Sequence, residues 1–110
     1  MHPSNIVKTN ELSGWKKDDT EPSTVDNTII ERGERYGCFK DGANVMQTLK
    51  SIVHDEMGWK NMNSSQREAI DMILHKIGRI VNGDPDYDDS WHDIAGYATL
   101  IVKQLNGENP

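Results

Sequence analysis

The chain of 110 residues contains one cysteine and no long apolar run. A single cysteine excludes a disulfide framework within the chain and any CxxC metal knuckle, so we expect a reducing compartment. No apolar run approaches the roughly 18 residues of a membrane span, and residues 1–10 lack the apolar core of a secretory signal. We therefore expect a cytoplasmic protein that has no membrane partner.

Positive charge and apolar side chains are also scarce. Lys and Arg number 12 against 18 Asp and Glu, which gives a net charge of −6. Proteins that bind the phosphate backbone of nucleic acids electrostatically need clustered Lys and Arg. Direct nucleic-acid binding is therefore not expected. Hydrophobic residues make up 35% of the chain and the mean hydropathy is −0.75. Such a composition supports one small core but leaves part of the chain unable to fold alone.

The signatures of several enzyme classes are absent from the sequence. It has no HExxH or Cys/His spacing of a zinc site, no Walker A loop, no GxGxxG and no GxSxG. Cys38 has no histidine near it in the sequence that would make it a nucleophile. Any function must therefore come from polar residues placed within the apolar segments.

Two regions of different composition divide the chain. Residues 1–26 contain few large apolar side chains and show no period of 2 or 3.6. This region is interpreted either as a flexible tail or as an arm that binds a partner, with Trp15 as its anchor. Residues 27–107 are predicted to form a single helical domain.

Apolar side chains that recur at spacings of 3 and 4 predict four helices. A short helix covers 28–36, and longer helices cover 43–56, 65–82 and 90–105. Ser65 and Glu68 fit a capping box at the start of the third helix, and Gly83 fits its end. No segment alternates as a strand does. The predicted fold is all-α, a small bundle of three long helices and one short N-terminal helix.

The bundle is predicted to be completed by dimerisation. The apolar faces of 69–81 and 91–105 are wide, and residues 43–57 supply only one layer to cover them. We therefore expect a homodimer or a higher homo-oligomer.

Polar residues also lie on the third predicted helix. Asp71, His75 and Arg79 follow one another at i, i+4 and i+8, with Lys76 beside them. Asp71 and His75 fit an ordinary exposed helix pair. Alternatively, Lys76 and Arg79 point toward the fourth helix and meet its carboxylates or a phosphate. Gly78 and Gly96 are expected to permit close approach of another helix or a ligand, since glycine costs about 1 kcal/mol inside a helix.

Acidic residues cluster around the start of the fourth helix. Asp89 and Asp93 share one helix face, and side-chain oxygens so arranged can share Mg²⁺ with substrate phosphates. Asp88 and Asp89 also fit helix caps, whereas Asp93 lies too far inside the helix for that role and is expected to face Lys76 and Arg79. Glu31 and Glu34 share a face of the first helix, either as a solvated charge run or as further ligands of the same site.

Three segments carry a resemblance to a known family. They are ERGERYG at 31–37, KIGRI at 76–80 and DSWHDIAGYA at 89–98. In order and spacing they resemble a small domain of unknown function from tailed phages and prophages, over residues 28–105. More weakly, the chain is similar to a nucleotide-modification-associated phage domain.

The most distant resemblance is to the all-α MazG-type nucleoside triphosphate pyrophosphohydrolases. Those enzymes hold Mg²⁺ against a triphosphate with paired glutamates on one helix and an ExxD motif on a later one. The resemblance implies that Glu31 and Glu34 stand for the glutamate pair and Asp93 for the final aspartate. The glutamate of ExxD falls at Ser90, and Asp89 is the nearest carboxylate that substitutes for it.

Two hypotheses of function follow. In the first, a phage-type accessory domain binds a nucleotide or nucleotide-like phosphate ligand and, with Mg²⁺, hydrolyses it. The predicted phosphate contacts are Lys76, Arg79 and Tyr97, and the predicted metal ligands are Glu31, Glu34, Asp89 and Asp93. In the second, the protein performs no chemistry and modulates a host or defence protein by binding it, with tryptophans as anchors.

Overall fold

A computed structural model describes residues 23–110, which are almost entirely helical. The four helices are α1 (Thr24–Tyr36), α2 (Phe39–His54), α3 (Ser64–Asn82) and α4 (Asp88–Leu105). One stretch of 3-10 helix, Met57–Asn61, connects α2 to α3. These residues contain no strand, so the prediction of an all-α fold is confirmed. Within this part of the chain no helix combines the length and the apolar character needed to cross a membrane.

Helix α1 begins at Thr24, four residues before the start at 28 that the sequence predicted. Ser23 is its N-cap, and the Ser23 hydroxyl accepts a hydrogen bond from the Asp26 backbone N–H at 3.1 Å. Serine is among the residues that favour this position because its side chain satisfies a free helix N–H. Three residues of the predicted arm, 24–26, therefore belong to the helix. Trp15 and the rest of that arm lie outside the described residues.

Helix α2 also begins earlier than predicted, at Phe39 instead of 43. Cys38, its N-cap, forms no side-chain capping bond, which explains why the sequence carried no signal for this start. Gly42, predicted in a loop, is buried inside the first turns of the helix. A Cβ atom at Gly42 would lie 3.0 Å from the Asn82 amide nitrogen, so the glycine permits the close approach of α3.

The capping box of α3 is built by residues other than those predicted. The Asn63 side chain accepts from the Gln66 N–H at 2.8 Å, and the Gln66 side chain accepts from the Asn63 N–H at 3.0 Å. The predicted box of Ser65 and Glu68 is therefore wrong by two residues. The predicted end at Asn82, with Gly83 following, is confirmed.

Helix α3 lies between α2 and α4 and runs antiparallel to both. Met46 of α2 packs on Gly78, where an added Cβ would lie 2.5 Å from the Met46 Cγ atom. The predicted close approach at Gly78 is thus confirmed as helix packing. Among residues 23–110, Ala69 (5% exposed) and Ile80 (8%) are the only apolar side chains exposed by less than about a tenth, and both belong to α3.

Helix α4 begins at Asp88, two residues before the predicted start. Its N-cap is Tyr87, and no side chain caps it, so the predicted caps by Asp88 and Asp89 are wrong. Both carboxylates lie in the first turn instead, where negative charge favours the helix dipole. The Trp91 indole N–H donates to the Pro85 carbonyl at 2.8 Å and holds the preceding loop against the helix.

The turn from α1 to α2 is fixed to the end of α3. The Asn82 side-chain amide donates to the backbone carbonyls of Tyr36 and Cys38, both at 2.9 Å. Gly37 lies between them at φ 80°, a left-handed conformation that favours glycine. The Asp84 N–H donates to the Arg35 carbonyl at 2.8 Å. These bonds bring the end of α1 to the loop before α4.

Candidate functional site

The three segments of the family resemblance converge at one end of the bundle. There α1 and α3 end and α4 begins, and side chains from all three helices and the loop before α4 contact one another. The polar and aromatic side chains at this place, named here the α1–α3–α4 corner, are Tyr36, Lys76, Arg79, Tyr87, Asp89 and Asp93.

An ion pair between α3 and α4 lies inside this corner. Lys76 Nζ is 2.9 Å from Asp93 Oδ2, and the two side chains are 10% and 32% exposed. The hydrogen bond from Lys76 lowers the pKa of Asp93 below 3.8, against a smaller opposing effect of burial; the charges of Lys76, His92 and Arg79 act in the same direction as the bond. The expected contact between an inward-facing Asp93 and Lys76 is confirmed.

Arg79 contacts an aromatic ring, not a carboxylate. Its guanidinium carbon is 4.2 Å from the centre of the Tyr36 ring, a cation–π arrangement. The Tyr36 hydroxyl donates a long hydrogen bond to Asp89 at 3.4 Å. Burial raises the pKa of Tyr36 above 10.0, and the nearby Asp89 and Tyr87 add to this increase while Arg79 opposes it.

A second tyrosine–arginine stack adjoins the first. The ring centres of Tyr36 and Tyr87 are 6.2 Å apart, and the Arg35 guanidinium lies 4.2 Å from the centre of the Tyr87 ring. Tyr87 was not among the site residues predicted from the sequence. The available signal was an aromatic residue directly before the helix-start carboxylates.

His75 lies among cationic groups from two helices. Its pKa is lowered from 6.5, first by burial and then by the charges of Arg79, Lys50 and Lys76. Lys50 belongs to α2, so sequence spacing along α3 gave no indication of it. Within residues 23–110, Lys76 has a carboxylate partner, but Lys50 and Arg79 have none within ion-pair distance. Arg79 of the corner and Lys50 of α2 are therefore two cations that act on His75 and have no carboxylate among the described residues within ion-pair distance.

One prediction was that Asp71 pairs with His75. The structure contradicts it. Asp71 contacts His54 of α2 instead, with 2.6 Å between Asp71 Oδ1 and His54 Nε2. The His54 ring stacks on Trp59 at 4.3 Å between centres. Arg67 donates to the backbone carbonyls of Trp59 and Lys60, at 3.1 and 2.9 Å. This second cluster fixes the connector between α2 and α3.

The predicted metal ligands are spread over different surroundings. Glu31 and Glu34 are exposed on α1, Asp89 is bonded to Tyr36, and Asp93 is bonded to Lys76. Among residues 23–110 no group of three or more His, Cys, Asp or Glu side chains is placed to hold a metal ion. The role of these four residues toward Mg²⁺ stays a prediction.

Tyr97 lies apart from the other predicted phosphate contacts. It lines an open groove of about 340 Å³ between the first half of α3 and the last half of α4. The other residues of this α3–α4 groove are Ser64, Ser65, Glu68, Ala69, Leu100, Ile101 and Gln104. Next to Tyr97, Gly96 faces open space, so the close approach predicted there is not made by any described residue.

Ser90 is the most deeply buried polar side chain in residues 23–110, at 3% exposed. The resemblance to the MazG-type motif predicts a glutamate at this position. A carboxylate at this depth would be charged without solvent, which is costly unless it is paired. The departure from the motif is therefore consistent with the packing of α4.

Comparison with known proteins returned no match for this chain among protein-family models, curated proteins or solved structures. The resemblance to the phage domain and to MazG-type enzymes stays a prediction.

Proposed function

We propose that this domain binds a nucleotide, or another small ligand with phosphate groups, at the α1–α3–α4 corner. The observation that carries the proposal is that Lys50 and Arg79, two of the three cations that act on His75, have no carboxylate within ion-pair distance in residues 23–110. Lys50, Lys76 and Arg79 all act on that ring, and only Lys76 is neutralised by a carboxylate in residues 23–110. Cations without a paired carboxylate favour an anion with more than one negative charge.

Aromatic surface beside the cations supports a nucleotide over inorganic phosphate. The rings of Tyr36 and Tyr87 are half-buried, and each already has an arginine over one face. Bases stack on tyrosine rings and on arginine guanidinium planes. A base would therefore lie against this pair of stacks while the phosphates contact Arg79 and Lys50.

Mg²⁺ enters this proposal together with the ligand. One or two carboxylates usually bind the ion, and water and substrate phosphates complete its coordination shell. At the corner the carboxylates are those of Asp89 and Asp93. Hydrolysis, in which a metal-activated water attacks the linkage between the α and β phosphates, is a separate second step of the proposal. Glu31 and Glu34 would serve that step from α1.

Isothermal calorimetry of the full chain tests the proposal. Nucleoside triphosphates, deoxynucleoside triphosphates and pyrophosphate are titrated with and without Mg²⁺. We expect saturable binding that Arg79→Gln weakens at least tenfold, because a charged phosphate contact is lost. Arg32→Gln, at an exposed position of α1, is the matched control and leaves binding unchanged. No heat with any ligand, or equal loss in both variants, contradicts the proposal.

Exposed apolar side chains favour one other candidate function, the binding of a host or defence protein. Phe39 and Met57 are each 86% exposed, at the start of α2 and in the 3-10 turn. Large apolar and aromatic side chains of this kind anchor protein interfaces. If none of the titrated ligands binds, this function would be supported by a cross-link between the protein and a host protein that forms in the host cell. The substitution Phe39→Ser should abolish that cross-link. The homo-oligomer predicted from the sequence is compatible with either candidate function.

A further inference from the structure

Asparagine is followed by glycine at two places in the chain, at 82–83 and at 106–107. In such a pair the glycine nitrogen can attack the side-chain amide carbon of the asparagine, because glycine has no Cβ atom to hinder the approach. The new C–N bond closes a cyclic imide, the Cγ–Nδ2 bond breaks, and the amide nitrogen leaves as ammonia with the proton of the glycine N–H. Water then opens the imide on either side and gives aspartate or isoaspartate. Both pairs have this chemistry, and the fold decides which one reacts.

The side chain of Asn82 is held by another part of the chain. Its amide group donates to the carbonyls of Tyr36 and Cys38, both at 2.9 Å. To reach the Gly83 nitrogen, the side chain must rotate and release both hydrogen bonds. This leaves two carbonyls of a half-buried turn without their donor, which is unfavourable.

The glycine of this first pair is held as well. The Gly83 N–H donates to the Arg79 carbonyl at 3.0 Å. The Arg35 carbonyl and the Tyr36 backbone fill the space beside the Gly83 Cα atom, so that even a Cβ atom would not fit there. Attack on Asn82 therefore requires the end of α1 to move away from α3. Such an opening involves several contacts at once and is rare in proportion to its free energy.

The second pair lies at the exposed end of α4. Asn106 and Gly107 are both exposed, and nothing lies within 4 Å of the place that a Cβ atom would take at Gly107. The Asn106 side chain makes no hydrogen bond to any of residues 23–110. No contact with another helix therefore has to break before this side chain can turn toward the glycine nitrogen.

A backbone cap of α4 orders this second pair. The Gly107 N–H donates to the Gln104 carbonyl, and the Glu108 N–H donates to the Lys103 carbonyl, both at 3.0 Å. Gly107 has φ 87°, the left-handed conformation common in such caps. These bonds belong to a single turn at the end of a helix, where fraying is local.

We infer that Asn106 is a site of spontaneous deamidation in the folded protein, and that the contacts of α1 shield Asn82 from the same reaction. The inference goes beyond the proposed nucleotide function and does not depend on it.

The two conversions have different consequences for the molecule. At Asn82 a carboxylate would replace the amide that donates to two carbonyls, and the attachment of α1 at the corner would be lost. At Asn106 the new carboxylate lies at the C-terminal end of α4, where negative charge opposes the helix dipole. Fraying of this last turn alters one edge of the α3–α4 groove, which Gln104 lines. The fold thus shields the pair whose conversion would open the corner.

Peptide mapping by mass spectrometry tests the inference on the full chain. Trypsin cleaves after Arg79 and Lys103, so the two pairs fall in separate peptides, 80–103 and 104–110. Asn109, the other asparagine of the second peptide, precedes a proline, which has no N–H to attack. After incubation of the folded chain in mildly alkaline buffer, we expect aspartate and isoaspartate products in 104–110. They should form at least about tenfold faster than in 80–103, because the first pair reacts only after a larger opening.

The same incubation in urea removes the effect of the fold. There we expect the two peptides to deamidate at similar rates, since both pairs then depend on their local sequence. Gly107→Ala, also measured in urea, is the matched control and should slow only the 104–110 peptide, because a Cβ atom hinders the attacking nitrogen.

Two results would overturn the inference. One is a folded chain in which Asn106 does not react or in which Asn82 reacts as fast as Asn106. The other is an Asn82 that remains the slower site in urea, since the fold would then not be the cause of the difference.

Discussion

The two ends of the contact between α3 and α4 differ in the kind of interaction found there. At the α1–α3–α4 corner, side chains form directional contacts: Lys76 with Asp93, Asn82 with two carbonyls, and Tyr36 with Asp89. At the other end, the α3–α4 groove is lined mainly by apolar atoms and is open to solvent. Hydrogen bonds and ion pairs fix distance and direction, whereas apolar contacts tolerate sliding and repacking.

This difference indicates where a defined binding geometry is expected. A phosphate ligand needs charged groups held at fixed positions, and at the corner Lys76 is held by Asp93 and Arg79 by the Tyr36 ring. The groove end has the opposite character, with the adaptable apolar surface that suits a protein partner or a flexible segment. Variants at the two ends should therefore differ in the size of their effects.

Asp93→Asn is expected to have the largest effect on stability. The substitution leaves the Lys76 ammonium, 10% exposed, without its charged partner, and we expect a loss of about 1–3 kcal/mol in the free energy of unfolding. Urea denaturation measures this. Lys76→Met is the companion variant and should cost less, because the remaining Asp93 is 32% exposed and can be hydrated. Equal costs below about 0.5 kcal/mol for both would place the pair on the solvated surface.

Asn82→Ala is expected to have the next largest effect. It removes both hydrogen bonds that tie the turn between α1 and α2 to α3, at a cost of about 1–2 kcal/mol. Hydrogen exchange should show faster opening of α1 than of α4, because α1 loses its attachment. Unchanged protection of α1 in this variant would contradict the role assigned to Asn82.

The pH dependence of stability should separate two groups at the corner. The pKa of His75 is lowered from 6.5 in the folded state. The stability that this residue contributes is therefore present above pH 6.5 and is lost as the pH falls through the folded-state pKa. The pKa of Asp93 is lowered from 3.8, so its contribution is lost at still lower pH. His75→Gln should remove the first decrease and Asp93→Asn the second. Denaturation between pH 7 and pH 2 measures both, and profiles identical to the natural chain would refute the assignment.

Leu100→Ala at the groove end should have the smallest effect. Leu100 is 42% exposed, and its neighbours can adjust, so we expect a loss below about 1 kcal/mol. The same urea series measures it. A loss larger than that of Asp93→Asn would reverse the comparison between the two ends.

The ends of the helices were predicted from the sequence better than their starts. Gly37, Gly83 and Asn106 follow the last residues of α1, α3 and α4 as predicted, whereas α2 ends at His54, two residues before the predicted 56. Gly37 has φ 80°, the left-handed conformation that favours glycine at the end of a helix. All four starts lie earlier than predicted. Cys38 and Tyr87 precede α2 and α4 without capping bonds, so no local signal marked those starts.

The candidate site was predictable where its residues lie on facing helices with clear periodicity. Lys76 and Asp93 are polar positions beside apolar faces of α3 and α4, and their contact follows from packing those faces together. Lys50 and Tyr87 come from other elements, and their positions beside His75 and Tyr36 depend on how α2 and the loop before α4 pack. Sequence spacing within one helix carries no information about such neighbours.

The titration of His75, followed by nuclear magnetic resonance, tests the central claim most directly. A bound pyrophosphate or nucleoside triphosphate adds negative charge beside a ring whose pKa the surrounding cations lower. The account predicts that saturating ligand raises the pKa of His75. An unchanged pKa of His75 with every ligand would contradict a phosphate site at the α1–α3–α4 corner.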